Sequence, residues 1–107
     1  MDELLKLGGG DKEFVNEMIH LFIKGANECT LSLKIAIETN DRKAIGDAAH
    51  KIAPACRHLG ATKMLELVKM LEKQADTDVS IAELGILINK LENEASKTIE
   101  EVKKHLS

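Results

Sequence analysis

Four histidines, two cysteines and eighteen carboxylates make up most of the side chains here that could do chemistry. His50 stands apart from the rest. From Asp41 to Leu59 the residues Ile45, Ala48, Ala49, Ile52, Ala55, Cys56 and Leu59 fall on one arc, at about 100° of helical turn per residue. His50 lies almost opposite that arc. On its outward face ideal helix geometry also puts Lys43, Gly46, Pro54, Arg57 and Ala61. A neutral imidazole nitrogen is a nucleophile, its small neighbours leave room for a large reactant, and Lys43 and Arg57, each about two turns away, suit an anionic one.

The other chemically capable residues read more plainly. His20, His58 and His105 fall at surface or boundary positions, and Met18, Met64 and Met70 at packing positions. Cys29 and Cys56 sit on apolar stripes of different helices, where a thiol acts as a small hydrophobe, which suits a reducing compartment. His50 and His58 are roughly 12 Å apart along an ideal helix, too far to share one ion without other ligands, so no metal site is expected.

The elements that must position His50 follow from periodicity. Val15, Met18, Ile19, Phe22, Ala26, Cys29, Leu33, Ala36 and Ile37 recur at three and four, which predicts a long amphipathic helix from Asp11 to Thr39. Gly25 is the point where it is expected to weaken or bend. Asn40 and Asp41 break the pattern and cap the histidine helix, which runs to Leu59 before Gly60 stops it. Pro54 lacks the N–H that would bond the His50 carbonyl, so a bend there is expected. Met64, Leu65, Leu67, Val68 and Leu71 mark a shorter helix that ends by the loop from Ala75 to Val79. Ser80 and Glu83 have capping-box spacing ahead of a last helix carrying Ile81, Leu84, Ile88, Leu91, Ala95, Ile99, Val102 and Leu106. Before all of these, Met1 to Leu7 reads as a short helix or leader stopped by Gly8-Gly9-Gly10.

No strand pattern appears, and four amphipathic helices on short connections favour antiparallel neighbours, hence an all-α, up-down-up-down four-helix bundle. At 107 residues the chain, 1–107, fits a single domain with a single core. Phe14 and Phe22 are its only aromatics, so that core is aliphatic. Fifteen basic against eighteen acidic residues give a net charge of −3 without a long basic block, which argues against general nucleic-acid binding. No run approaches the roughly 18 consecutive apolar residues of a membrane span, and no signal core opens the chain, so direct membrane contact is not expected. One stripe per helix, consumed by the internal core, leaves no second seam and predicts a monomer.

The segment Ala48-Ala49-His50-Lys51-Ile52-Ala53-Pro54-Ala55-Cys56-Arg57-His58-Leu59-Gly60-Ala61 resembles the signature of histidine-containing phosphotransfer (HPt) domains. Ala49-His50, Ile52 and Leu59-Gly60-Ala61 match that pattern. The likeness extends to Phe14-Val15-Asn16-Glu17-Met18 and to Leu71-Glu72. The sequence departs from the family where Lys usually follows the histidine by three and Gly by four, with Ala53 and Pro54 in those places.

The resemblance implies a phosphorelay intermediate of two-component signalling, either free-standing or a module of a hybrid sensor kinase. His50 would take a phosphoryl group from, and return it to, an aspartate of a response-regulator receiver domain, and would not be an enzyme's catalytic residue in the usual sense. It also implies that Mg²⁺ and the acidic cluster belong to the receiver, that this chain needs no cofactor of its own, and that it works in the cytoplasm. Arg57, about 20° from His50 around the helix, is the better placed charge partner; Lys51 lies about 100° away. Lys43 serves either solubility or docking. The receiver is expected to meet a face of Gly46, Ala53, Pro54 and Ala61. Two alternatives stand beside this reading. One is the dimerisation and phosphoacceptor fragment of a histidine kinase, in which an acidic residue usually follows the histidine where Lys51 stands here. The other is a phosphate-independent helical interaction module.

Overall fold

In the computed structural model, residues 11–106 are described, and they form four helices: α1 Lys12–Glu38, α2 Arg42–Leu59, α3 Thr62–Ala75 and α4 Ile81–Lys103. The segment read as a short helix or leader, Met1 to Leu7, and the three glycines after it lie outside the described residues. Each helix starts and stops for a local reason. Asp11 caps α1 by accepting from the N–H groups of Glu13 at 3.0 Å and Phe14 at 3.3 Å. Asp41 caps α2 through Ala44 N–H at 3.0 Å, and Ser80 caps α4 through Glu83 N–H at 3.1 Å.

Two left-handed residues make the sharp turns. Asn40 has φ 54° and Gly60 has φ 70°. Past each, an amide reaches back over the helix end: Asp41 N–H to Ala36 O and Ala61 N–H to Cys56 O, both at 2.9 Å. This wrap satisfies carbonyls that a helix end otherwise leaves bare, and it lets the chain reverse within a few residues.

The reversals set the topology. α2 packs on α1 and α3, while α4 closes the ring by packing on α3 and α1. The start of α4 lies beside the end of α1, where a methyl on Gly85 would stand 4.0 Å from Ile37 Cγ1. Neighbouring helices therefore alternate in direction, as expected of the up-down-up-down bundle. Phe22, Ile19, Leu33, Ile45, Leu59, Met64, Leu71 and Leu84 fill a single core. Burying such side chains contributes about 1.5–3 kcal/mol each.

The structure adjusts several expectations. α1 runs unbroken through Gly25, which sits instead at a close approach: a methyl there would come within 3.2 Å of Ile52 Cδ1 on α2. α2 likewise stays helical through Pro54. Met70 is 47% exposed rather than packed. In α4 the stripe is wider than the three-and-four pattern implied, since Leu87 and Thr98 are buried too. Thr98 satisfies its hydroxyl by donating to Glu94 O at 2.8 Å.

Candidate functional site

His50 projects from the middle of α2 with its side chain 82% exposed. The Gly60 reversal determines what it meets. His50 precedes Gly60 by ten residues and Glu72 follows it by twelve, so the α2–α3 hairpin brings the two abreast. Nδ1 of His50 lies 2.6 Å from Glu72 Oε2. An ionised carboxylate only accepts, so Nδ1 carries the proton and donates it. In a neutral ring with that tautomer, the Nε2 lone pair is the one left for chemistry.

A polar groove of about 500 Å³ runs beside this pair between α2 and α3. Its narrow floor is Gly46 against Ala75, where an added methyl would be 3.7 Å from Ala75 Cβ. Lys43, Asp47 and Asp76 line it with His50 and Glu72. At its far end Arg42 is occupied, donating to Thr77 O at 2.5 Å, which ties the α3–α4 loop to the start of α2. Among the described residues no three His, Cys, Asp or Glu side chains stand together as ligands for an ion.

Of the residues expected around His50, Lys43 and Gly46 share its groove. Pro54 is exposed one turn on, and Arg57 is exposed about two turns on, outside the groove. Lys51 is exposed on the opposite flank, at the mouth of a cleft between α1 and α2. Two expectations are overturned. Ala53 is only 5% exposed, because at about 60° from His50 toward α3 it is covered by that helix. Ala61 is only 8% exposed, because α2 ends at Leu59 and the left-handed Gly60 turns the chain before Ala61 can continue the helical face. Neither belongs to an outward docking face. Their place on that face is taken by Asp47 and His58, both exposed.

Glu72 is the partner of His50 that periodicity alone missed. The signal was present: register counted symmetrically about a Gly-stopped helix predicts which residues of an antiparallel hairpin face one another. The cysteines are not rival nucleophiles. Burial pushes the Cys29 thiol up to about 11; it pushes Cys56 up to about 12, with Cys29 nearby adding to the effect. Both are therefore protonated near neutrality. Cys29 Sγ donates weakly to Ala48 O at 3.6 Å.

A family model described as Hpt domain matches residues 17–104, a span that includes α2, α3, the His50–Glu72 pair and nearly all of the core. No curated protein and no solved structure matches the chain.

Proposed function

The chain belongs to the Hpt domain family, phosphotransfer modules that work with response-regulator receiver domains in two-component phosphorelays, and we propose that His50 is the residue through which it carries phosphate. The observation that carries this reading is the His50–Glu72 pair: an exposed imidazole whose Nδ1 proton is held by a carboxylate at 2.6 Å.

In the proposed transfer the Nε2 lone pair attacks the phosphorus of a phospho-aspartate on the receiver. The N–P bond forms as the acyl O–P bond breaks, and the aspartate leaves as a carboxylate. The imidazole becomes a phospho-imidazolium, and its positive charge is offset by Glu72 through Nδ1–H. The reverse step returns the phosphoryl group to an aspartate with neutral imidazole as leaving group. Positioning and charge neutralisation dominate such transfers. Lys43, in the same groove, and Arg57, whose side chain would need to lean back along α2, are the cations we assign to offset phosphate charge. The Mg²⁺ of the exchange is assigned to the receiver. The module is taken to act as a monomer in the cytoplasm, within a hybrid kinase or free-standing.

The test is transfer of labelled phosphate from a phospho-receiver, in the presence of Mg²⁺, to the wild-type chain and to His50→Gln. Label should vanish in the variant while its helical circular dichroism persists. Label retained by a folded His50→Gln protein would sink the assignment of His50.

A further inference from the structure

We propose that Arg42 is a positioning residue for phosphoryl transfer: by holding the end of α3 against the start of α2, it keeps Glu72 level with His50 and so keeps the imidazole proton on Nδ1. This rests on His50 as the phosphoacceptor and on Nε2 as its attacking nitrogen. Among the described residues, two side-chain hydrogen bonds join α2 to α3 and the loop after it. One is His50 with Glu72 at 2.6 Å; the other is Arg42 Nη2–H to Thr77 O at 2.5 Å, which spans 35 residues of sequence.

α3 needs such a tie because its own ends are weakly made. Asp11, Asp41 and Ser80 cap the other three helices with side-chain oxygens, but α3 starts at Ala61, which gives no side-chain cap. It ends at Asp76, without a left-handed residue like those that follow α1 and α2. Arg42 brings a cation to that end, where the partial negative charge of the last carbonyls attracts it. Thr77 is a firm anchor. Its hydroxyl donates to Gln74 O at 2.6 Å and accepts from Val79 N–H at 3.3 Å, which holds the loop carbonyl in place.

Register is what the tie controls. Glu72 lies five residues before Thr77 and His50 eight after Arg42, whereas Gly60 is ten residues from His50 and twelve from Glu72. The Arg42 bond is therefore the nearer of the two ends that fix the pair. Between them Gly46 meets Ala75, where an added methyl would be 3.7 Å from Ala75 Cβ. Surfaces that smooth set how far apart α2 and α3 lie, but they do not interlock, so they do not stop one helix from sliding along the other. A slide of about 1.5 Å, one residue of helix rise, lengthens and tilts a hydrogen bond made across the groove, and such bonds weaken steeply once misaligned. The Nδ1 proton then has no firm acceptor, and the ring is free to carry it on Nε2 instead. Arg42 already gives Nη2–H to Thr77 O and stands about 12 Å along α2 from His50, so its part is to position Glu72 rather than to touch the phosphoryl group.

The test variants are Arg42→Met, which keeps the aliphatic stem and removes the donors, and Arg42→Lys, which keeps a donor and the charge. Arg42 lies outside the aliphatic core, and urea melts check that both stay folded. In nitrogen-15 spectra of His50, recorded on the free chain in mildly alkaline buffer, the Nδ1–H tautomer should give way in part to Nε2–H in Arg42→Met and return in Arg42→Lys. Transfer from labelled phospho-receiver at saturation should slow about threefold in Arg42→Met, with receiver affinity within about twofold of the wild type. In a Glu72→Ala background the same substitution should slow transfer no further, because its effect travels through Glu72. An unchanged tautomer in folded Arg42→Met would overturn the proposal. So would equal slowing with and without Glu72, which would make Arg42 a direct charge partner of the phosphate. Thr77→Val is the second test should Arg42→Met not fold: the residue is exposed, its hydroxyl braces the carbonyl, and an unmoved tautomer there would overturn the proposal as well. Label persisting in His50→Gln would instead overturn the acceptor assignment, whereas the tautomer shift, read without any receiver, stands or falls on its own.

Discussion

Removing the Glu72 carboxylate tests whether the proton it holds matters to transfer. In Glu72→Ala, Nδ1 loses an acceptor at 2.6 Å, and the ring is free to move its proton to Nε2, the nitrogen that must attack. A hydrogen bond to a charged group is worth about 1.5–3 kcal/mol in a protein. The pair here is exposed, 82% on the histidine and 41% on the glutamate, so solvent screening lowers that to about 1–2 kcal/mol. The contribution belongs to the rate rather than to binding. As Nε2 bonds to phosphorus the ring becomes cationic, and only then does the Nδ1–H to carboxylate bond reach full strength. A loss of about 1–2 kcal/mol slows transfer about five- to thirtyfold at saturating receiver. Glu72→Gln keeps a neutral acceptor for the proton but not the charge, so its rate should fall between those of the wild type and Glu72→Ala. Rapid-quench transfer from labelled phospho-receiver gives the rates, and nitrogen-15 spectra of His50 give the tautomer. Transfer by folded Glu72→Ala within about twofold of the wild type would refute the reasoning.

The remaining predictions concern the cations and the thiols. Arg57→Ala should slow transfer several-fold, corresponding to about 1 kcal/mol for one exposed charge-assisted contact, whereas Lys51→Ala should weaken receiver affinity and spare the saturated rate. A larger loss of saturated rate in Lys51→Ala, measured in the same quench assay, would reverse the two roles. The thiols make stability fall in alkali. Below pH 9, the ordinary thiol value, both the folded and unfolded states hold the protons and the stability is fully present; as pH climbs toward about 11 and 12 the unfolded chain releases them first. The loss approaches about 1.4 kcal/mol per pH unit for each thiol. Urea melts across pH 8 to 10 should therefore show a steeper decline for the wild type than for the Cys29→Ala, Cys56→Ala double variant, and equal slopes would mean that the thiols titrate as if exposed.

Much of this architecture was legible as pattern. The helix starts at Asp11, Asp41 and Ser80 carried capping side chains, and the core stripe of α1 followed the three-and-four rule from Val15 to Ala36. What failed did so where an ideal helix was extended past its physical end or treated as if it had one neighbour. Ala61 was placed on the His50 face by counting through Gly60, but a left-handed residue resets the direction of the chain. Ala53 was placed there because only the core side of α2 was considered hidden, yet α3 covers an additional flank. Gly25 was read through its helix propensity of about 1 kcal/mol, whereas its position is better explained by a neighbour: it is where α1 must approach Ile52. Met70 has the residue type for packing, but type alone does not say which side of α3 faces inward.

On the proposed reading, the two flanks of α2 would let a histidine on an outward face serve a relay without a catalytic cavity around it. The flank toward α3 supplies the proton holder, because the Gly60 hairpin brings Glu72 level with His50 and leaves Gly46 and Ala75 as a low floor. The flank toward α1 is a small cleft where Gly25 lets α1 approach the buried Ile52, with Glu28, Ser32 and Lys51 also lining it. Reactivity is thus assigned to one neighbour of α2 and not to the other. A change on the α1 side, as at the exposed Leu21, should leave the intrinsic reactivity of Nε2 unaltered. A change at Glu72 should alter it, affecting every receiver in the same proportion. Transfer rates at saturation and affinities, measured for two unrelated receivers against Leu21→Asp and Glu72→Ala, separate these cases. If Leu21→Asp scaled the saturated rates of both receivers by one common factor, the division between the flanks would not hold.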